Sequence, residues 1–248
     1  MWIEASDSPE AGRYDVICLP IIDWSFRFQR PQQLVTQFAR NGHRVFYIDQ
    51  TALLEGHLLS AVASEPEVEW VRNNVAIVSL VSESALNIYA DELNDANLEA
   101  MLHSLDALRR RFDIVTAICL VQLPFWWPLA ARLRERYGWK IVYDCMDDHG
   151  GFATNSVVML SHERELIEKS DLVTATSRLL CEKMSGHGGP CTVVRNAADF
   201  DHFHRAQTPC PLSQVPGLQN VRHPIIGYYG AIADWFDLDL IRGAARAK

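Results

Sequence analysis

The sequence predicts an α/β fold: an open, doubly wound parallel sheet with helices on both faces. Short Val/Ile/Leu-rich runs alternate with amphipathic stretches of helical period along most of the 248 residues, the arrangement that places crossover helices between parallel strands. The runs are almost continuously apolar, as strands buried on both faces must be. Glycine and proline punctuate the joints, Pro31 at the start of one helical stretch and Gly42, Gly138 and Gly186 at the ends of others.

The elements follow in order. The first strand is Tyr14–Pro20. A helix over Pro31–Asn41 pairs Leu34 with Phe38 and Val35 with Ala39 at i, i+4; Pro31 suits its first turn and Gly42 stops it. Strands at Arg44–Ile48 and Val75–Leu80 come next. Leu98, Met101, Leu102, Leu105 and Leu108 mark a second helix, ahead of the strand Val115–Leu123. A third helix runs from Leu129 to Tyr137, followed by the strand Lys140–Tyr143. A fourth, Ser161–Lys169, precedes the strand Leu172–Thr176. Ser177 caps a fifth, and the strand Thr192–Arg195 completes a domain spanning 1–205. Residues 206–224, with Pro209, Pro211, Pro216 and Pro224, read as a linker. A strand at Ile225–Gly230 then opens a second domain, 225–248, which as a single βα unit is too small to bury its own core.

Composition excludes several classes of function. With 48% hydrophobic and 22% charged residues the chain is neither disordered nor of low complexity. A net charge of −8 argues against sequence-independent binding to nucleic acid. No apolar run nears the roughly 18 residues of a membrane span, and the amino terminus, with Glu4, Asp7 and Glu10, lacks a signal peptide's basic and apolar regions. The six cysteines are dispersed without a C-x-x-C pair, which points to reduced thiols and a cytoplasmic protein. His187, Cys191, His202 and His204 match no metal-ligand spacing, so no metal site is expected.

Ligands of an open parallel α/β sheet bind beyond the carboxyl ends of its strands, so the residues that follow each strand are the candidates. After the first comes Asp23-Trp24-Ser25-Phe26-Arg27-Phe28-Gln29-Arg30. Its aromatic faces and polar groups suit a sugar, and its arginines a phosphate or carboxylate. No glycine lies between Tyr14 and Asn41, which excludes the G-x-G-x-x-G turn of dinucleotide-binding domains and with it NAD or FAD. After the fifth strand stand Asp144, Asp147, Asp148 and His149, carboxylates and an imidazole close enough to shift one another's pKa and serve in acid–base chemistry. Asn196 and Asp199 follow the seventh. Ser177 has no Gly-x-Ser-x-Gly frame, so a helix cap is the better reading than a hydrolase nucleophile.

Taken together, Arg30-Pro-Gln-Gln-Leu, Asn41-Gly-His-Arg-Val-Phe-Tyr-Ile, Tyr143-Asp-Cys-Met-Asp-Asp, Asp171-Leu-Val-Thr-Ala-Thr-Ser, Arg195-Asn-Ala-Ala-Asp and Ile226-Gly-Tyr-Tyr-Gly resemble glycosyltransferase family 4. These are retaining enzymes of the GT-B fold, and the likeness is to the bacterial teichuronic-acid-type transferases. The resemblance implies a Rossmann-like acceptor-side domain, with Ile225 onward as the start of a donor-side domain cut short. It implies transfer of a sugar from a nucleotide-diphosphate sugar to an acceptor hydroxyl in cell-surface polysaccharide or glycolipid synthesis, with no cofactor or catalytic metal. This chain alone would then be inactive. On that reading Asp144, Asp147, Asp148 and Gln122 are catalytic, Gln122 standing where relatives often carry histidine. Asp23, Trp24, Arg27 and Arg30 line the cleft opposite the Asp144–His149 cluster, and His149, Asn196, Asp199 and Gly230 bind substrate. The partners implied are a carbohydrate or lipid-linked acceptor, the missing domain, and a peripheral contact with the inner face of the membrane. Two other readings are a non-catalytic sugar- or nucleotide-binding module and a metal-dependent hydrolase built on Asp144, Asp147, Asp148 and His149.

Overall fold

The computed structural model describes residues 13–51, 53, 65–152, 155–186, 189–205, 214–221, 225–230, 232 and 236–247. The chain divides into two compact units, Met1–Ala197 and Ala198–Lys248.

The first unit is an eight-stranded sheet built from β1 (Asp15–Leu19), β2 (Val45–Ile48), β3 (Glu67–Arg72), β4 (Val75–Ser79), β5 (Ala117–Val121), β6 (Lys140–Cys145), β7 (Leu172–Ala175) and β8 (Cys191–Val193). Their spatial order is β3-β4-β2-β1-β5-β6-β7-β8. Every pairing is parallel except the β3–β4 hairpin at one edge. The helices are α1 (Arg30–Arg40), α2 (Asp95–Arg111), α3 (Trp127–Tyr137), α4 (Val157–Lys169) and α5 (Arg178–Ser185). Each covers a predicted helical stretch. Ser177 caps α5 by accepting from the Leu180 amide at 3.1 Å, and Gly138, at φ 69°, supplies the left-handed residue that ends α3.

Burial explains the two-sided apolar strands. On one face Val35 and Ala39 of α1 pack with Val16, Cys18, Val45, Tyr47 and Leu120. On the other, Met101, Leu105, Leu129, Leu133, Leu166 and Leu180 of α2 to α5 cover Ile17, Phe46, Cys119, Ile141 and Val173. Burial pushes the Cys119 and Cys145 thiols up to about 12. They serve as small core hydrophobes rather than nucleophiles.

Two elements differ from expectation. β3 carries charge on alternate residues and is half buried, so it has no apolar run to announce it; it folds back on β4 through a turn in which Asn74 takes a φ of 61°. Ile225–Gly230, predicted as a strand, is not one. No strand among the described residues pairs with it, so its backbone lacks a ladder, and Ile226 and Tyr229 are 83% and 99% exposed. The second unit instead contains α6 (Phe200–His204), capped by Asp199, and α7 (Leu238–Arg246), capped by Asp237. Pro209, Pro211, Pro224, His187 and Cys210 lie outside the described residues.

Candidate functional site

The order of the sheet fixes where a ligand fits. From β1 the chain moves outward to β2 and β4, then returns to place β5 on the other side of β1. The connections leaving β1 and β5 therefore diverge, opening a crevice at their carboxyl ends.

A buried ion pair organises that end of the sheet. Arg30, the first residue of α1, donates from Nε and Nη2 to the Asp144 carboxylate on β6 at 2.9 and 2.6 Å. Its Nη1 reaches the Val194 carbonyl at 2.6 Å and Asn196 Oδ1 at 3.3 Å, just past β8. Asp144 is fully buried and also accepts from Thr174 Oγ1 on β7 at 2.7 Å and from Gln122 Nε2 beyond β5 at 3.3 Å. Four donors meet its four acceptor positions. Arg30 and Asp144 were expected across a cleft from each other. They form one bidentate pair instead, because a buried carboxylate needs a charged partner.

The loop from Pro20 to Gln29 is held by its carbonyls. Pro20 accepts from Gln50 Nε2 at 2.9 Å and from the Trp126 indole at 2.8 Å. The Tyr89 hydroxyl holds Ile21, and the Tyr47 hydroxyl holds Ile22 at 2.6 Å. The fully buried Gln32 directs Nε2 at the carbonyls of Asp23, Trp24 and Arg27 at 3.0, 3.2 and 2.7 Å, while its Oε1 accepts from the Gln29 amide at 3.0 Å. Side chains thus do what glycines do in a dinucleotide-binding turn: they fix a tight backbone path.

Asp23 turns its carboxylate toward the residues after β2, accepting from the Gln50 amide at 2.8 Å and from the Thr51 amide and hydroxyl at 3.1 and 2.7 Å. Burial, with Asp23 close by, holds the neighbouring Asp49 carboxyl above its usual range. Trp24 meets Tyr47 and Phe28 edge to face at 5.4 and 5.9 Å. A bulge in β3 accompanies the placing of Arg72 over both Trp24 and Phe28, at 5.5 and 4.6 Å, and Arg27 lies 4.8 Å over Phe26.

After β6, Asp147 is exposed and Asp148 pairs with Lys183, whose hydrogen bond lowers the Asp148 pKa. His149 is buried, and burial lowers its pKa against the opposing pull of Asp147 and Asp148. Among the described residues no group of three or more His, Cys, Asp or Glu side chains is arranged to hold a metal. Asp199 and Gly230 belong to the second unit, where the Asp199 carboxylate caps α6 by accepting from the His202 amide at 3.0 Å. The structure therefore brings together Gln122, Asp144, Arg30 and Asn196. It also adds Gln32, Tyr47, Gln50, Tyr89, Trp126, Thr174 and Arg72, to none of which the sequence assigned a role, although Gln32, Tyr47 and Thr174 lie within segments that carry the family resemblance; Gln32, the third residue of α1, sat where a capping-box partner is found.

No protein-family model and no curated protein sequence matches the chain. Among solved structures it is similar to sucrose-phosphate synthase from Thermosynechococcus elongatus, at 12% identity and a TM-score of 0.54, over 80% of this chain and 53% of that one. A second structure of that synthase gives 12% identity and 0.49 over 79% of this chain and 94% of that one. Arabidopsis thaliana UGT89C1 complexed with quercetin gives 16% and 0.35 over 68% and 44%. The chain spans about half of the synthase chain matched at 0.54. Among the described residues no helix is long and apolar enough to cross a membrane. The shared feature is the architecture, and the first unit has the Rossmann-like α/β fold of one half of a GT-B protein.

Proposed function

We propose that this chain is the acceptor-side half of a glycosyltransferase that moves a sugar from a nucleotide-diphosphate donor to an acceptor hydroxyl. The observation that carries the reading is the switch point between β1 and β5, where ligands of open α/β sheets bind and where the loop after β1 has a fixed backbone and is rich in aromatic and polar side chains. Aromatic faces beside hydrogen-bonding groups are what a polyol acceptor requires.

In this reading the acceptor lies against the 20–29 loop, with Trp24 and Asp23 beside it. The Arg30–Asp144 pair works as a brace, holding the ends of β6 and β8 at a fixed distance from α1, and Gln122 is fixed by that brace at the crevice floor. Asp147, exposed after β6, is the carboxylate free to touch substrate. In the transfer, the bond from the anomeric carbon to the diphosphate oxygen breaks, one to the acceptor oxygen forms, and the acceptor hydroxyl's proton passes to the departing diphosphate. The leaving diphosphate belongs to a donor-side domain, of which residues 225–248 supply an opening segment. No cofactor is invoked, because the nucleotide sugar is itself a substrate. A cell-surface polysaccharide or glycolipid product and a cytoplasmic location belong to the same proposal.

The non-catalytic binding module remains a second reading because Asp144 has no acceptor position left for chemistry. Titration of the chain with oligosaccharides and, separately, with a panel of nucleotide-diphosphate sugars, followed by nuclear magnetic resonance, separates the two. Binding of an oligosaccharide without the nucleotide sugars supports the acceptor-side half. Saturable nucleotide-sugar binding by this chain favours the module, and binding of neither overturns both.

A further inference from the structure

Two carboxylates meet where the loop after β1 passes the end of β2. The Thr51 amide is shared between Asp23 Oδ1 at 3.1 Å and Asp49 Oδ1 at 3.0 Å, so both oxygens converge on one hydrogen. Neither carboxylate has an ion-pair partner among the described residues. Keeping both charged at this separation is costly, and the pair lowers that cost by taking up a proton. Hydrogen bonding decides where the proton sits. Asp23 accepts from the Gln50 amide at 2.8 Å, from the Thr51 amide and from the Thr51 hydroxyl at 2.7 Å, donors that favour its charged form. Among the described residues Asp49 has only its share of the Thr51 amide and the Ser79 hydroxyl on β4 at 3.4 Å, and burial, then its hydrogen bond to Asp23, raises its pKa. The Tyr47 and Tyr89 hydroxyls also face Asp23; both stay protonated and donate to the Ile22 and Ile21 carbonyls. The cations packed on the same loop, Arg72 and Arg27, lie over the rings of Trp24 and Phe26.

We propose that Asp49 is a positioning residue for the crevice loop: protonated, it donates to the ionised Asp23 and latches residues 20–29 to the end of β2, and loss of that proton releases the latch. The donated hydrogen fills the one acceptor position of Asp23 that its amide and hydroxyl donors leave open. Once the proton leaves, two neighbouring charges repel across the joint between loop and sheet. The direction in pH follows from linkage. The latched loop keeps a proton that the opened loop, with Asp49 near its ordinary value of about 3.9, gives up. Opening is therefore favoured as pH rises from about 3.9 through the raised value, and is level above it. Gln32 does not titrate and holds the loop from the α1 side throughout. The consequence for a ligand rests on the acceptor-side reading: an acceptor lying against this loop is held more tightly in mild acid.

The test is hydrogen exchange of the chain without ligand, followed by mass spectrometry between about pH 4 and pH 8 and corrected for the intrinsic pH dependence of amide exchange. As pH rises from about 3.9 to the raised value, protection over residues 20–29 is expected to fall by up to about tenfold per pH unit, beyond any change in the rest of the sheet. Asp49→Asn, whose amide donates to Asp23 without titrating, is expected to keep the acid-side protection at every pH. Asp49→Ala, which has no donor, is expected to lack it at every pH. A flat wild-type profile overturns the proposal and does so even where a variant fails to fold. A slope that survives in Asp49→Asn, or an Asn variant as open as the Ala variant, overturns it as well. None of these outcomes touches the acceptor-side reading, which falls instead if oligosaccharides do not bind.

Discussion

The Arg30 guanidinium and the Asp144 carboxylate meet through two hydrogen bonds across 114 residues of chain, at side-chain exposures of 8% and 0%. The first unit contains a second pair of the same geometry: Arg44 grips Asp15 at 2.8 and 2.7 Å, at the start of β1. One pair locks the amino end of the sheet, where ligands do not bind. The other locks the carboxyl end, where the crevice lies.

Removing one partner of the Arg30–Asp144 pair strands a buried charge. Arg30→Ala is expected to lower stability by about 3–5 kcal/mol, and Arg30→Lys, which loses the bidentate fork, by part of that. Pairing Arg30→Met with Asp144→Leu should cost less than Arg30→Ala alone, since no charge is left buried. Urea denaturation of these proteins together with the singles Arg30→Met and Asp144→Leu gives the answer; a double variant as unstable as the sum of its singles would mean that the two residues act separately.

Gln32 is the hub of the crevice loop. Gln32→Ala removes the side-chain donor from three carbonyls, of which that of Asp23 keeps the Phe26 amide at 3.4 Å, and is expected to cost on the order of 2 kcal/mol, with faster hydrogen exchange confined to the 20–29 segment. Gln32→Glu is harsher near neutrality, because a carboxylate then faces three carbonyl oxygens, and it partly recovers in acid as the new side chain takes up a proton. Exchange measured by mass spectrometry that rises evenly over the sheet would show that Gln32 supports the fold at large.

Burial lowers the His149 pKa, which sets a sign. Between that lowered value and the roughly 6.5 of the unfolded chain, the unfolded state binds the extra proton, so stability falls as pH drops below about 6.5 and is level above it. His162, lowered by burial as well, adds a slope in the same direction. The difference between wild type and His149→Gln isolates the first contribution: the variant should show a shallower loss between about pH 7.5 and pH 5.5. Parallel curves would mean that His149 titrates alike in both states.

Asp147 is exposed just after β6 and has no ion-pair partner among those identified in the described residues. In a complete transferase, Asp147→Ala is expected to lower turnover by about tenfold to a thousandfold with an unchanged melting temperature. Unaltered turnover removes Asp147 from the site.

The sheet was legible because burial on both faces writes itself into sequence as continuous apolar runs; α1, α3 and α5 were legible because a glycine stands at or just after their ends, while α2 and α4, which end at Phe112 and Ser170, showed only through their own spacing. β3 escaped because an antiparallel edge strand is half solvated; Glu67-Val-Glu-Trp-Val-Arg alternates, and the Asn73-Asn74 turn after it was the available signal. Ile225–Gly230 misled in the opposite way, since an apolar run states only what a strand would bury and not whether a neighbour is present to pair with it. At the site, Trp24, Asp23 and Gln122 could be located by the rule of strand ends. The pairing of Arg30 with Asp144 could not, because nothing local to either residue records which strand lies beside which helix start.

The carbonyl anchoring of the loop after β1 also bears on how this protein can vary. Connections between elements ordinarily tolerate insertion and drift in sequence. Here six carbonyls between Pro20 and Arg27 take seven hydrogen bonds from the side chains of Gln32, Tyr47, Gln50, Tyr89 and Trp126, residues spread along the chain from 32 to 126. A single inserted residue would slide every acceptor past its donor at once. Descendants of this chain are therefore free to exchange the outward side chains of the loop, and so change what they bind, while its length stays the same.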